Sequence, residues 1–241
     1  MKKLSSLFFC VTITGATIKD VDQWSKYIED QMRGDRSKSS ITMEIKTENW
    51  ERTLEIRADV EGDDHALVFI DSPAKEKGIG TLRLGNNMWN WFPKLKRKVT
   101  VSPSMLLASW MGSDFTNDDL LKASSFSKDY AHVFQPEENG YQVIVNTAKS
   151  DAKVMWPKII TLASKKDCMP YVHRYYDKQG NLKRIMTLSS YKVFDGHNVP
   201  QVMELVPQDN SGKKTIMTYR SMSFKPTFPS NHFTMQNLTG N

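Results

Sequence analysis

The feature that most constrains the fold is a strict two-residue alternation of apolar and polar side chains. Residues 41–46 read Ile-Thr-Met-Glu-Ile-Lys, and residues 52–60 repeat the order with Leu54, Ile56 and Ala58 on the apolar side. Successive side chains of a β-strand point to opposite faces, so this period marks strands with one buried and one wet face. Such strands are typical of antiparallel sheets, so the sequence predicts a mainly β protein.

Further strand patterns follow at regular spacing, separated by Gly, Asn and Asp turns such as 85–87, 179–181 and 210–212. Several short strands joined by such turns predict a meander, and hence a barrel or a strongly curved sheet. A helix is expected at 22–32, ended by Gly34. The sequence also predicts strands at 67–70, 79–84, 88–92, 99–101, 130–134, 141–146, 159–163, 170–176, 185–194, 199–206 and 215–224.

The N-terminus has the form of a secretory signal peptide. Lys2 and Lys3 precede an apolar run at 7–13, and the small residues Gly15 and Ala16 follow. The alternative is a buried first strand. From the signal-like pattern we expect residues 1–16 to be removed on export and residues 17–241 to form one domain. Removal would take away Cys10, so Cys168 is expected to be a lone, inert thiol. The tail from residue 226 onward, with few apolar residues, is expected to lie extended on the surface.

The net charge does not indicate a nucleic-acid ligand. The formal charge of +6 falls to +4 without Lys2 and Lys3, and acidic residues are interspersed with basic ones. The dense basic cluster comprises Lys94, Lys96, Arg97 and Lys98. It is either a solvated turn or a docking surface for an anionic lipid headgroup or a partner protein.

The stretch from Met88 to Leu121 contains an unusually apolar segment after its basic turn. A short soluble helix normally has one polar face, but residues 105–111 are apolar on nearly every side and must be covered on both. The stretch is either a buried helical hairpin that fills a core or a lid over a cavity for an apolar ligand. Under the second interpretation the candidate ligand-contacting residues are Trp89, Trp91, Phe92, Met105, Leu106, Trp110, Met111 and Phe115.

If the stretch is a lid, three of its polar residues are expected to hold it in place. Thr116 and Asp119 have the spacing of a capping box for a second short helix, and Asp114 is expected to help hold it in place.

A curved sheet of this kind can hold a small ligand rather than being filled by side chains. Many inward candidates are Met, Leu, Ile or aromatic, and the chain has 13 methionines, which provide adaptable apolar surface. Burial is worth about 0.8 kcal/mol per methylene, so a chain of roughly 14 carbons gains on the order of 10 kcal/mol before ordering costs. If a cavity exists, the expected ligand is therefore an acyl chain or another hydrophobic molecule.

We expect no catalytic residues, metal ligands or cofactor. The five histidines are scattered and lack ligand spacing. Gly78 and Gly80 lack the third glycine of a dinucleotide loop. Neither Ser104 nor Ser109 lies in the G-x-S-x-G context of a nucleophile elbow.

Several motifs of the chain resemble those of the LolA-like outer membrane lipoprotein-sorting protein family. The strongest is the string S-W-M-G-S-D-F-T-N-D-D-L at residues 109–120; shorter matches lie at 82–84, 88–89, 92–94 and 103–105. The resemblance extends over about residues 24–224. It implies a half-open, strongly curved antiparallel β-sheet, an unclosed barrel, with short helices as a lid.

The resemblance also implies a function. A protein of this kind would shelter lipid or lipoprotein acyl chains in the periplasm and pass them to or from a membrane partner. Members similar to this chain suggest an inner-membrane transporter of the resistance-nodulation-division type as that partner. The alternative is a lipid-responsive adaptor or sensor that docks to such a transporter.

Overall fold

The computed structural model describes residues 10–11, 17–102, 105, 108–117, 119, 126–152, 154–209 and 212–240. In the described part of the chain, the helices with defined bounds are α1 (Val21–Arg33), α2 (Phe126–Asp129) and α3 (Met235–Thr239), and Pro93–Leu95 forms a 3₁₀ turn. The strands are β1 (Cys10–Val11), β2 (Thr17–Ile18), β3 (Arg36–Lys46), β4 (Glu51–Glu61), β5 (His65–Ser72), β6 (Gly80–Leu84), β7 (Asn87–Phe92), β8 (Arg97–Thr100), β9 (Tyr130–Glu138), β10 (Tyr141–Ala148), β11 (Lys158–Ala163), β12 (Pro170–Tyr176), β13 (Leu182–Phe194), β14 (His197–Pro207) and β15 (Lys214–Ser223).

Within the described ranges, β3 to β15 form one 13-stranded antiparallel sheet in the order β8-β7-β6-β5-β4-β3-β15-β14-β13-β12-β11-β10-β9. Pairing of β3 with β15 joins the first and last strands of this sheet at its middle. The two sheet edges are therefore β8 and β9, which are consecutive in the chain. The connection between them, residues 101–129, has to cross the open side of the curved sheet. The half-open, strongly curved antiparallel architecture expected from the sequence is confirmed.

The alternation seen in the sequence determines which face of the sheet is buried. In the β3–β4 pair, Ile41 lies opposite Ile56 and Met43 opposite Leu54, and all four belong to the main apolar cluster on the concave face. Leu188 of β13, which is fully buried, belongs to the same cluster. The strands predicted from 130 onward agree with the observed ones to within a few residues at each end.

The helix expected at 22–32 is confirmed as α1. Asp20 caps its N-terminus by accepting a hydrogen bond from the Asp22 backbone N–H at 2.6 Å, and Gly34 ends it with a φ of 61°, a conformation that favours glycine. Trp24 is fully buried, and its indole Nε1 donates to the Cys168 carbonyl oxygen at 2.6 Å. This contact anchors α1 beside the turn between β11 and β12.

The C-terminal tail does not lie extended, and that expectation is wrong. Thr234 caps α3, and Leu238 of α3 is buried together with Phe233 against Leu67 and Leu82 of the sheet. Leu67 lies on the face of β5 opposite to Val68, which faces the concave side. The few apolar residues of the tail are therefore enough to cover a second, smaller apolar patch on the convex face.

In the full chain, which still carries residues 1–16, Cys168 is disulfide-bonded; the lone thiol expected after removal of these residues stays a prediction. Cys10 is the only other cysteine of the sequence and lies in the predicted signal peptide. Residues 1–9 and 12–16 of that peptide lie outside the described residues, whereas β1 pairs with β2. Across the described ranges, no helix combines the length and the apolar character that a membrane crossing requires.

Candidate functional site: an apolar cavity beneath a crossing segment

A cavity of about 380 Å³ lies within the concave side of the sheet. Its volume falls in the range of roughly 300–1,000 Å³ that is usual for small-molecule sites. Most of its wall is apolar, and eight of the 13 methionines contribute to it. Unbranched thioether side chains adapt to irregular apolar shapes. The wall therefore suits a flexible apolar ligand better than a rigid polar one.

Among the described residues, α1 and a part of the connection between β8 and β9 cover the cavity. Ile28 and Met32 of α1 form part of the wall on one side. Residues 108–117 and 119, here called the crossing segment, contribute Trp110 and Phe115, which are 2% and 7% exposed. The indole Nε1 of Trp110 donates to Thr81 Oγ1 at 3.3 Å. The large side chains of the crossing segment thus point into the cavity and not into solvent.

Among the polar contacts that join the crossing segment to the sheet, the main one is an ion pair between Asp119 and Arg184 of β13. The two guanidinium nitrogens Nη1 and Nη2 donate to Asp119 Oδ2 at 2.8 Å and Oδ1 at 2.6 Å. The side chains are 5% exposed for Arg184 and 20% for Asp119. The guanidinium also lies 4.5 Å from the ring centre of Trp156 and 4.4 Å from that of Tyr175. A bidentate, largely buried pair held between two aromatic rings is geometrically specific.

Asp119 has a second role in the crossing segment itself. Its Oδ2 accepts from the Thr116 backbone N–H at 2.7 Å, and its own N–H donates to Thr116 Oγ1 at 3.2 Å. This reciprocal pair confirms the capping box predicted from the sequence. One carboxylate therefore shapes the segment locally and joins it to β13.

Asp114 and Arg52 make two further attachments. Thr215 Oγ1 of β15 donates to Asp114 Oδ2 at 2.7 Å and accepts from the Asp114 backbone N–H at 2.9 Å. Arg52 of β4 donates to the Met111 carbonyl oxygen. Burial raises the pKa of the Asp114 carboxyl, against the effect of its hydrogen bond to Thr215.

All these attachments lie at one end of the sheet. Arg52, Thr81, Arg184 and Thr215 each lie near the beginning of their strand, and alternate strands of an antiparallel sheet run in the same direction. The crossing segment is therefore fixed across one end of the half-barrel, between its two edges.

The structure brings together only some of the candidate ligand-contacting residues. Trp110 and Phe115 line the cavity. Met111 is half-buried and packs against the main apolar cluster. Met105 is 39% exposed and does not belong to the cavity wall. Leu106 lies outside the described residues.

Trp89 and Trp91 lie on the other face of the sheet, so the expectation that they line the cavity is wrong. Met88 of β7 faces the cavity, and the alternation along the strand sends its neighbours outward. The two tryptophans pack with α3 on the convex face. Phe92 is half-buried at the end of β7 and is not part of the cavity wall. Their aromatic character suggested a ligand contact, whereas their register in the strand decides the face.

The basic cluster forms an exposed turn at the β8 edge. Pro93–Leu95 is the 3₁₀ turn, and Lys96 follows in the left-handed region with a φ of 46°. Leu95 at its tip is 72% exposed. The side chains of Lys94, Lys96, Arg97 and Lys98 are all exposed.

Sequence reasoning missed a row of buried polar side chains across β9, β10, β11 and β12, here called the polar row: His132, Asn146, Thr161 and His173. His132 lies opposite Asn146, and Thr161 lies opposite His173. The available signal was that each residue occupies an inward position of a predicted strand. Burial lowers the pKa of His173 to about 4, so its ring is neutral at neutral pH.

Groups of three or more His, Cys, Asp or Glu side chains placed to hold a metal ion are not found among the described residues.

The comparisons with known proteins fit this geometry. A protein-family model described as "Uncharacterized protein" matches residues 62–240. The chain belongs to this family. A comparison with curated protein sequences gave no match.

Solved structures show that the fold is LolA-like. A DUF1329 family protein from Desulfovibrio piger is similar with a TM-score of 0.82 and 20% identity, over 90% of this chain and 97% of that one. A putative outer membrane lipoprotein-sorting protein domain from Vibrio parahaemolyticus has a TM-score of 0.76 and 24% identity, over 90% and 97%. A LolA superfamily protein from Nitrosomonas europaea has a TM-score of 0.76 and 18% identity, over 90% and 98%.

The ion pair predicts unequal effects of two similar substitutions. Asp119→Asn leaves the Arg184 guanidinium buried without its carboxylate and should lower the free energy of unfolding by about 3 kcal/mol. Asp114→Asn keeps an acceptor for Thr215 and removes a buried charge, so it should change that free energy by less than about 0.5 kcal/mol. Urea denaturation at neutral pH measures both. Equal losses would show that the Asp119 pair is not the main attachment.

The buried His173 predicts a loss of stability in acid. Its folded-state pKa of about 4 lies below the ordinary 6.5. Its contribution to the free energy of unfolding is therefore fully present above pH 6.5. It is lost as the pH falls toward 4, because the unfolded chain binds the proton more readily than the folded one. The loss should total about 3 kcal/mol. Urea denaturation at several pH values between 4 and 6.5 gives the free energy of unfolding as a function of pH. This free energy should depend less steeply on pH in His173→Gln than in the wild type. Equal pH dependence would refute the lowered pKa of His173.

Proposed function

We propose that this protein is a carrier that encloses lipid or lipoprotein acyl chains in its cavity and passes them to or from a membrane partner. The observation that carries the proposal is the apolar cavity of about 380 Å³, covered by a segment that polar contacts attach to the sheet. The name of the similar Vibrio parahaemolyticus domain, a putative lipoprotein-sorting protein, supports the same class of cargo.

The wall of the cavity favours acyl chains on energetic grounds. Each methylene transferred from water contributes about 0.8 kcal/mol, without requiring a directional partner. The methionines can follow different chain lengths and bends. Binding would therefore be strong in sum yet tolerant of the exact acyl group, as a carrier of mixed lipids requires.

Release of a ligand would require the crossing segment to move. The segment has few elements of regular structure and is held by separable polar contacts, of which the Asp119–Arg184 pair is the main one. Segments of this kind open at lower free energy than the strands beneath them. Opening would expose Trp110 and the cavity at the same end of the sheet.

We propose that the carrier works in the periplasm after cleavage of a signal peptide. Export with cleavage after residue 16 would remove Cys10 and leave Cys168 as a free thiol. The mass of the exported chain and its alkylation after denaturation distinguish this outcome from a chain that retains its N-terminus and the bond.

Filling the cavity should abolish binding. Ala58 of β4 is buried in the cavity wall, so Ala58→Phe places a ring in the space that an acyl chain would occupy. We expect the wild type to co-purify with amphiphiles that mass spectrometry detects in an organic extract. The amount of co-purified amphiphile should be at least tenfold lower in the variant. Thr53→Phe, on the exposed face of the same strand, is the matched control and should retain them. A wild-type protein free of any amphiphile would refute the proposal.

A second function is favoured by the basic turn, in which Leu95 is exposed among four cationic side chains at the sheet edge. The same fold could act as a lipid-responsive adaptor that docks through Lys94, Lys96, Arg97 and Lys98 to a membrane transporter, for instance one of the resistance-nodulation-division type. An exposed apolar tip among cations suits an anionic surface.

Reversal of charge in this turn tests docking to a partner separately from lipid binding. Lys94→Glu combined with Lys98→Glu should reduce recovery of a cross-linked membrane partner at least tenfold, while leaving the amount of co-purified lipid unchanged. Lys165→Glu combined with Lys166→Glu, in the exposed β11–β12 turn, controls for net charge. Undiminished cross-linking would exclude the basic turn as the docking surface.

A further inference from the structure

The hydrogen bonds of the polar row each have a defined donor and acceptor. The orientation of the Asn146 side-chain amide determines them. The Asn146 amide nitrogen Nδ2 lies 3.0 Å from the Ile159 carbonyl oxygen. A backbone carbonyl only accepts, so the amide nitrogen and not the amide oxygen must face it. The oxygen Oδ1 therefore faces His132, whose Nδ1 lies 2.8 Å away. His132 must carry its proton on Nδ1 to make this hydrogen bond.

The same orientation determines the other half of the row. The second Nδ2 hydrogen of Asn146 is donated to Thr161 Oγ1 at 3.0 Å. Among the described residues, no acceptor other than His173 Nδ1 lies within hydrogen-bond distance of the Thr161 hydroxyl, so the hydroxyl donates its own hydrogen to this nitrogen, 2.9 Å away. A neutral imidazole has one donor and one acceptor nitrogen. Since Nδ1 of His173 accepts, its proton resides on Nε2.

The two ends of the row differ. His132 is 8% exposed, is not part of the cavity wall, and has an Nε2 without a hydrogen-bond partner among the described residues. His173 is part of the cavity wall, together with Thr161 and with Phe126, whose ring stacks on it at 5.7 Å. His173 Nε2 makes no hydrogen bond among the described residues, so the row supplies an available neutral N–H donor to a wall that is otherwise mostly apolar.

We propose that His173 Nε2–H forms a polar subsite that binds the carbonyl oxygen of an acyl ester or amide whose hydrocarbon chain occupies the cavity. This inference rests on the proposed carrier function and names the ligand class. A single neutral donor satisfies a carbonyl oxygen, but it does not compensate the burial of an ionised carboxylate. The subsite thus selects an esterified or amide-linked acyl group over an alkane that lacks an acceptor.

The ligand class is tested by displacement of the fluorescent probe anilinonaphthalene sulfonate with three ligands of similar length: methyl tetradecanoate, pentadecane and tetradecanoate. The wild type should bind the ester roughly fivefold more tightly than the alkane, as expected for one net hydrogen bond. His173→Leu should remove this preference while still binding the alkane. His132→Leu removes the histidine at the other end of the row and should retain the preference.

Two outcomes separate the subsite from the carrier function. Equal affinity of the wild type for ester and alkane, or an ester preference that persists in His173→Leu, overturns the subsite and leaves the carrier function intact. Failure of all three ligands to bind the wild type overturns both.

The tautomers provide a test that needs no ligand and does not depend on a variant that folds. Imidazole nitrogen chemical shifts of the wild type should show the proton on Nε2 of His173 and on Nδ1 of His132. A proton on Nδ1 of His173 would overturn the proposal.

Discussion

The structure depends on one topological constraint: the two edges of an open, curved sheet are consecutive strands in the chain. Since β8 and β9 lie at opposite edges, the residues between them must span the open side. A concave face made of Leu, Ile and Met would expose a large apolar area to water, which soluble proteins avoid. The connection between β8 and β9 covers this face. The lid is therefore a consequence of the strand order and not a separate addition to the sheet.

The cover combines two kinds of interaction with different roles. Trp110 and Phe115 close the cavity by burying apolar surface, which costs free energy to reverse in proportion to area. Asp119 and Arg184 contribute geometric specificity, because a bidentate pair forms in only one arrangement of the two side chains. A buried ion pair adds little net stability compared with apolar packing, but it specifies one position of the segment. This combination suits a cover that closes in a defined position and can still separate from the sheet.

The interior is not uniformly apolar, and some of its polar side chains form the polar row. The polar row joins four neighbouring strands, and its hydrogen bonds run from His132 to the cavity wall at His173. Burial that keeps His173 neutral also makes it suitable as a donor to an uncharged acceptor. A mostly apolar space with an oriented polar group in its wall matches an amphiphile whose carbonyl lies beside its hydrocarbon chain.

Much of the architecture was predictable because the period-two patterns are local. Residues 41–46 and 52–60 specify strands and their buried faces without reference to the rest of the chain, and Thr116 and Asp119 specify a cap over one turn. The same rule would have placed Trp89 and Trp91 on the convex face, had register outweighed aromatic character. The packing of Leu238 was not predictable, because the patch that it covers exists only after β5, β6 and β7 pair.

The sequence by itself determined the class of fold, the position of its strands and the presence of an apolar segment between the two halves of the sheet. These follow from side-chain alternation and turn chemistry, which act between residues close in the chain. Only the tertiary structure decided that Asp119 meets Arg184, that four scattered polar residues form one row and that a cavity remains beneath Trp110. Those features join residues from distant strands, and their geometry is set by the pairing order and curvature of the whole sheet.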